Sequence, residues 1–308
     1  MYLAIEIGGT KLQLALGDDE AKIGEKRKLT VEATLGATGI RQQIEDGLTQ
    51  LLRGRKPAGV GVGFGGPVDW RTGRIACSHQ ISGWSDFDLG GWLSGLTGAP
   101  VRVDNDANVA ALGEAIHGAG RERNPVSYVT LGSGVGGGLV LDGRIYHGDL
   151  PGEAEIGHVR LDRSGTTVES RCSGWAVDAR IRALKTQSPD SALARLCAVT
   201  PGGEARHLPT ALAQGDRAAQ DLLAELAGDL AFGLSHVVHL FHPQIIVLGG
   251  GLSSVGEPLR AGVAARLRDF IMEVFRPGPE IALARLGEDA VPVGALHLAA
   301  VTHRGLSR

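Results

Sequence analysis

Ile5-Glu6-Ile7-Gly8-Gly9-Thr10-Lys11 opens the chain with an apolar run and a glycine turn, and a second apolar run follows over residues 11–17. The pattern returns in Val129-Thr130-Leu131-Gly132-Ser133-Gly134 and runs on to Leu139-Val140-Leu141. Apolar runs on either side of a glycine turn read as β-hairpins. At an offset of 124 residues, Ile5-Glu6-Ile7 and Gly8-Gly9-Thr10 overlay Val129-Thr130-Leu131 and Gly132-Ser133-Gly134, and Leu14-Ala15-Leu16 has its counterpart in Leu139-Val140-Leu141. A repeat of strand, glycine turn, strand and crossover helices predicts two similar α/β lobes whose glycine turns face one another. Two unrelated hairpins are the alternative reading.

Working outward, residues 24–31 supply a third strand, and Ile40, Ile44, Leu48 and Leu51 recur at helical spacing before Gly54 and Pro57 stop them. Residues 58–64 read as a small buried strand ending in Gly65-Gly66-Pro67, residues 89–96 as a helix, 101–103 as a strand and 107–117 as a helix behind a cluster of capping residues. The remainder is helix-rich: 174–184, 191–199, 217–239 and 259–271 are expected helices, 244–248 and 281–286 strands, and 292–301 an apolar helix that packs back on the first lobe. The domain reading is residues 1–118, joined by the C-terminal helix at 292–308, and residues 119–291, with a hinge near 118–125.

At 308 residues the chain has room for about two domains, each large enough to bury a core. Hydrophobic residues at 43% and charged residues at 21% exclude disorder and a membrane bundle. The net charge of −3 is spread evenly, 15 basic against 17 acidic residues in the first 150 and 16 against 17 in the rest, so neither half is a polyanion-binding face. No apolar run approaches the ~18 residues of a membrane span, and Met1–Gly9 carries no basic flank, so neither a signal peptide nor a membrane is expected. Three cysteines, Cys77, Cys172 and Cys197, without a Cys-x-x-Cys pair point to reduced thiols and a cytoplasmic protein.

Four of the clusters formed by the 47 glycines, at 8–9, 61–66, 132–138 and 249–251, follow apolar strands, where open α/β sheets place ligands. Each alone is a tight turn; four together favour phosphate binding, because glycine turns expose backbone N–H groups that form anion nests. Gly-x-Gly-x-x-Gly occurs at Gly61–Gly66 and Gly132–Gly137, yet the dinucleotide fingerprint needs a helix opening on the last glycine. The copies run instead into Pro67-Val68-Asp69 and the strand-like Leu139-Val140-Leu141. A dehydrogenase is rejected on that ground, and no Gly-x-x-x-x-Gly-Lys-Ser/Thr loop or Gly-x-Ser-x-Gly elbow occurs.

Asp104-Asn105-Asp106-Ala107-Asn108 stands at a strand-to-helix junction. Capping explains one of these residues, not four polar residues in five. A carboxylate at a helix start beside an Asn can take the proton of an attacking hydroxyl while the Asn orients it, as in phosphoryl transfer. Gly152-Glu153-Ala154-Glu155-Ile156-Gly157-His158 supplies Glu and His together, suited to fixing vicinal hydroxyls; a metal pair without further ligands and a structural His are the alternatives. Glu169 alone is a weaker candidate.

These segments together resemble the ROK sugar kinases over essentially the whole chain. Residues 5–11 look like the first phosphate hairpin, Gly65-Gly66-Pro67-Val68-Asp69 like the sugar-side loop, and Val103–Asn108 followed by Ala110-Ala111-Leu112-Gly113-Glu114 like the catalytic segment. Leu131–Gly138 resembles the second phosphate hairpin, Glu155-Ile156-Gly157-His158 the sugar-binding signature, and Val247-Leu248-Gly249-Gly250-Gly251 the nucleotide-side turn. The resemblance implies an α/β, two-lobed actin-like ATPase fold (ribonuclease H-like, duplicated) with a cleft between lobes. It also implies transfer of the ATP γ-phosphoryl group to a hexose hydroxyl, usually the 6-hydroxyl. By position Asp106 is the base; Gly66, Asn105, Asp106, Glu155, His158 and Glu169 contact sugar; Gly9, Thr10, Lys11, Gly132, Ser133 and Gly250 lie near nucleotide, with Mg²⁺ on the phosphates. Glucose is the first expected substrate as the commonest of the family. Fructose, mannose and N-acetylhexosamines stay open, polyphosphate is an alternative donor that no basic track favours, and a homodimer is expected.

Three departures from the family pattern carry consequences. Glu6 stands where the family has Asp, and its place just before Gly8-Gly9 makes it a candidate to hold Mg²⁺ through a water. Ala154 replaces a Gly before Glu155. The Cys-x-Cys-Gly-x-x-Gly-Cys zinc loop is absent, since residues 161–169 contain no cysteine, so no structural zinc is expected and His158 serves sugar alone. A sugar-responsive repressor of the same family needs an added DNA-reading helix, and here the first hairpin begins at residue 2. A silent sugar-binding protein is the remaining alternative, motivated by Glu6 and opposed by Asp106 and both glycine hairpins.

Overall fold

The computed structural model describes residues 1–78, 81–150, 152, 154–199 and 203–306. Glu153 and the last two residues of the expected 292–308 helix lie outside them. The chain gathers into two compact units, one of Met1–Glu122, Gly138–Ala154 and Glu288–Arg308, the other of Arg123–Gly137 and Glu155–Gly287.

In the first unit, β1 (Tyr2–Ile7), β2 (Lys11–Gly17), β3 (Ile23–Thr30), β4 (Val60–Phe64) and β8 (Val101–Asn105) form a sheet of order β3-β2-β1-β4-β8. β1 and β2 pair antiparallel, as β2 and β3 do, whereas β1, β4 and β8 are parallel. Every residue of β1 is buried, and edge strand β3 alternates half-buried and exposed as a strand with one wet face does. α1 (Gly36–Leu52) lays Ile40, Ile44, Leu48 and Leu51 on the core and ends at Arg53 in the left-handed region. A small sheet of β5 (Val68–Asp69), β6 (Arg74–Ile75) and β7 (Phe87–Asp88) precedes α2 (Leu89–Thr97). Its two-residue strands carry no periodic signal, which is why the sequence reading has none of them.

α3 (Asp106–His117) starts directly from β8, and α10 (Ala290–Leu306) packs on β1, β4 and α3. That packing is glycine-dependent. A Cβ added at Gly61 of β4 would strike the carbonyl of Ala295, and one at Gly294 the carbonyl of Val109, so backbone meets backbone and no larger residue fits. The junction between β8 and α3 is therefore held against a rigid neighbour.

The second unit holds β9 (Val126–Leu131), β12 (Ile245–Gly249) and β13 (Glu280–Leu283), all parallel. With β10 (Val135–Leu141) and β11 (Arg144–Ile145) they make a sheet of order β11-β10-β9-β12-β13. The repeat is met to the residue: β1 and β9 start 124 apart, as do β2 and β10. The apolar triplet Leu139-Val140-Leu141 is displaced by one from this register, because glycines at 136–138 replace the side chains that Leu12, Gln13 and Leu14 provide in β2.

The helices of this unit are α4 (Val168–Cys172), α5 (Gly174–Gln187), α6 (Ala192–Val199), α7 (Leu208–Ala213), α8 (Arg217–Phe241) and α9 (Glu257–Phe270). α8 buries Leu222, Leu226, Leu230, Leu234 and Val238 at four-residue spacing, each aliphatic side chain worth ~1.5–3 kcal/mol of transfer free energy. The last expected strand is shorter than its apolar run, ending at Leu283 rather than residue 286. No helix among the described residues is long and apolar enough to cross a membrane.

Candidate active site

At the end of β1, Glu6 is 6% exposed, and a buried carboxylate needs partners. It has two: Lys11 Nζ lies 2.8 Å from Oε1, and Gln13 Nε2 donates to Oε2 at 2.5 Å. Gln13 is the direct cross-strand partner of Glu6, and the same row continues through Gly63 to Asp104. The Gln13 amide also donates to the carbonyl of Glu288 at 3.0 Å. Since both partners of Nε2 accept, the amide orientation is fixed, and Oε1 is left as a buried acceptor with no partner among the described residues.

Asn105 caps α3: its Oδ1 accepts from the amides of Ala107 at 2.9 Å and Asn108 at 3.3 Å, and its Nδ2 donates to the carbonyl of Gly66 at 3.3 Å. The following residue, Asp106, is half-buried. Burial pushes its carboxyl up to about 6, and the negative charge of Glu6 pushes in the same direction, against the Ala107 amide and the Lys11 charge. A carboxylate with such a value is half-protonated near pH 6 and free to accept a proton at neutral pH. Behind it, Asp104 is buried and accepts from the Asn105 amide (2.9 Å), Asn108 Nδ2 (3.1 Å) and His147 Nε2 (2.7 Å). The first hairpin closes with the Gly8 amide on the Lys11 carbonyl at 2.9 Å, which leaves Gly9 and Thr10 at the tip, Thr10 exposed. The first unit thus gathers Glu6, Lys11, Gly66, Asn105 and Asp106 around the ends of three parallel strands and one helix start.

In the second unit the turn Gly132-Ser133-Gly134 closes with the Gly132 amide on the Gly134 carbonyl at 2.9 Å. Two further bonds fasten it. The amide of Gly174, first residue of α5, donates to the Gly132 carbonyl at 2.7 Å, and Glu169 Oε2 accepts from the Val135 amide at 2.9 Å. Gly250, at φ +79°, follows β12, and a Cβ there would meet the backbone of Leu131 at 2.6 Å, so the turn after β12 lies against the base of the hairpin. Glu155 precedes a 3-10 turn at Ile156–His158 that His158 ends; His158 Nδ1 and Glu155 Oε2 are 3.2 Å apart, with side chains 75% and 53% exposed. Residues 161–169 are organised by a carboxylate: Asp162 Oδ1 accepts from the amides of Ser164 (2.8 Å), Gly165 (3.0 Å) and Thr166 (3.1 Å). Hydrogen bonds from the Thr166 and Ser164 side chains hold its carboxyl well below the usual range. Among the described residues no group of three or more His, Cys, Asp or Glu is arranged to hold a metal ion. The Cys172 thiol, pushed up to about 12 by burial, is no thiolate.

Gln13 and His147 are absent from the sequence-derived site, and Asp104, part of the polar cluster at 104–108, has no role of its own in it. Counting outward from the hairpin turn would have set Gln13 opposite Glu6. Nothing in the sequence ties His147 to Asp104, 43 residues before it.

The profile of the ROK family matches residues 2–301. Glucokinase from Thermotoga maritima is 30% identical over 301 residues, 95% of each chain, and glucokinase from Streptomyces coelicolor is 31% identical over 311 residues, 97% of each. The crystal structure of a ROK family glucokinase from Streptomyces griseus, in complex with glucose and AMPPNP, superposes with a TM-score of 0.84 at 31% identity, covering 97% of this chain and 98% of that one. The fold is the actin-like ATPase fold of these kinases.

Proposed function

From the premise that the chain belongs to the ROK family, we propose that it transfers the γ-phosphoryl group of ATP to the 6-hydroxyl of glucose. The chain is an ATP-dependent sugar kinase of the glucokinase kind. The observation that carries the reading is Asp106: a carboxyl raised to about 6 at the start of α3, beside the N-cap Asn105.

Asp106 takes the proton of the attacking hydroxyl as the hydroxyl oxygen forms its bond to the γ-phosphorus. The bond from phosphorus to the β,γ-bridging oxygen breaks and its electron pair leaves with ADP. Asn105 and the Gly66 carbonyl orient the sugar on the side of the base, and Glu155, His158 and Glu169 hold further sugar hydroxyls. Glu169 does so while keeping the Val135 amide. Gly9, Thr10, Lys11, Gly132, Ser133 and Gly250 belong to the nucleotide. Lys11 brings positive charge to the phosphates from a position already fixed by Glu6.

Mg²⁺ fits the first unit by donor chemistry. Glu6, Asp106 and the unpartnered Gln13 Oε1 are all oxygen donors, and Mg²⁺ keeps several waters rather than an all-protein cage. When bound it neutralises phosphate charge. Glu6 and Gln13 Oε1 would hold it through its waters. The proposal includes a homodimer, a cytoplasmic location and no structural zinc.

Coupled ADP release over a panel of glucose, mannose, fructose, N-acetylglucosamine and N-acetylmannosamine, with ATP and with polyphosphate, tests the reading. Turnover fastest with glucose and ATP is expected. Preference for another sugar reassigns the substrate. Sugar binding without turnover for any pair replaces the kinase by a silent binder.

A further inference from the structure

We propose that His147 is a positioning residue for the phosphoryl-transfer junction, acting through Asp104 on the backbone that carries Asn105 and Asp106. The inference rests on the kinase reading of Asp106 and goes beyond it, since neither His147 nor Asp104 belongs to the sites assigned above.

The Asp104 side chain is 4% exposed, and a carboxylate so buried is stable only with donors. It has three, and each comes from a different place. The amide of Asn105 is the link between Asp104 and the base. Asn108 Nδ2 belongs to the first turn of α3 and donates to the Gly152 carbonyl at 3.2 Å as well. His147 Nε2, at 2.7 Å, comes from a segment some 40 residues further along the chain. Asp106 is thus bracketed by two groups bonded to one carboxylate, Asn105 before it and Asn108 after it. The third donor sets where that carboxylate sits.

His147 is itself held in place. Its ring stacks on Trp70 with centroids 4.2 Å apart and planes at 13°. Trp70 follows β5, whose strand begins two residues after Gly66, the carbonyl that receives Asn105 Nδ2. Because the partner of Nε2 is a carboxylate, which only accepts, Nε2 carries a proton. Without that donor the Asp104 carboxylate keeps only donors from the junction it is meant to fix, and is free to turn with them. The cost falls on the geometry of proton transfer and in-line attack, where small displacements lower the rate far more than they weaken binding.

Two substitutions separate the hydrogen bond from the packing. His147→Phe keeps a ring for Trp70 and removes the donor; His147→Gln keeps an N–H donor at similar reach and removes the ring. Expected is a fall in kcat of about 10- to 100-fold for His147→Phe, with KM for hexose and ATP within about threefold, and a kcat for His147→Gln within about threefold of the unsubstituted protein. Should His147→Phe not fold, His147→Asn, too short to reach Asp104, replaces it. Unchanged kcat without the donor, or equal losses in the donor-keeping and donor-lacking variants, overturns the proposal while leaving the kinase intact.

If the unsubstituted protein phosphorylates no sugar, the kinase reading fails and amide hydrogen exchange still decides the positioning claim. Faster exchange of the Asn105 amide in His147→Phe than in His147→Gln or the unsubstituted protein supports it. Equal exchange in all three overturns it.

Discussion

The two glycine hairpins share one backbone plan and divide its chemistry. Their strands have equal lengths and stand 124 residues apart, yet Glu6 faces Thr130 in the alignment, Lys11 faces Val135, and Gln13 faces Gly137. The first hairpin is held by charge: Lys11 and Gln13 bind the Glu6 carboxylate, and Gln13 reaches on to the Glu288 carbonyl. The second is held through its main chain, by the Gly174 amide on the Gly132 carbonyl and by the Val135 amide on the side-chain carboxylate of Glu169. The duplicated turn thereby comes in a charged version and in one without charged side chains of its own; on the proposed reading the first shifts the pKa of a base and holds a hydrated cation, and the second suits phosphate oxygens. The same reading gives proton and charge handling to the first unit.

The largest expected effect tests that assignment at its centre. Asp106→Asn is expected to lower kcat by about 10²- to 10⁴-fold with hexose affinity within a few-fold, read by steady-state kinetics and titration calorimetry. The same substitution carries a signature in stability. The folded-state carboxyl titrates near 6, above its ordinary value, so its favourable contribution is present at low pH and is lost as pH rises through about 6. Asp106→Asn escapes that loss, and its melting temperature relative to the unsubstituted protein should rise between pH 5 and pH 8. Near-normal turnover removes Asp106 as the base.

Glu6→Gln comes next. Glu6 is the second cause, after burial, of the raised Asp106 value, so removing its charge moves the acidic limb of the kcat/KM profile below pH 6. A drop in kcat of about 10- to 100-fold is expected with it, because the carboxylate proposed to hold the cation is gone. A limb that stays in place or moves to higher pH would mean that Glu6 does not act on Asp106, and the contrast between the hairpins would lose its electrostatic half.

What was legible in the sequence follows the same divide. The hairpins, their repeat and the long amphipathic helices are written in local periodicity, so Glu6, Asn105 and Asp106 fall at the strand ends and helix start where they were expected. Side-chain partners drawn from distant segments are not written locally. Gln13 with the Glu288 carbonyl and Asp104 with His147 depend on tertiary placement, whereas Asp162 with the turn at 164–166 is local and has no period to mark it. Residues 161–169 contain no cysteine, and a carboxylate turn gives that loop its order.

The smallest effect separates two ways in which the C-terminal segment could secure the charged hairpin. Residues Glu288 and Asp289 pair with Lys28 and Lys26 of β3, while the Glu288 carbonyl receives Gln13. Lys28 and Glu288 are 50% and 66% exposed, so their attraction is screened and partly cancelled by the entropy of two long side chains. Gln13 is buried and serves two acceptors at once, one of them a buried carboxylate. Gln13→Leu should therefore cost about 1–3 kcal/mol and lower kcat several-fold, since Glu6 loses the donor that orients it. Lys28→Gln should cost less than about 1 kcal/mol and leave kcat unchanged. The Lys28 ammonium holds the Glu288 carboxyl below its ordinary value, so the small share from this pair is present at neutral pH and is lost as the carboxyl protonates in acid. Urea denaturation at pH 7 and again near pH 4 reads this share, which should shrink at the lower pH. If Lys28→Gln proved as costly as Gln13→Leu, the hairpin would be secured by surface charge rather than by the buried amide, and Gln13 would lose its place beside Glu6 as the feature that sets the first hairpin apart from the second.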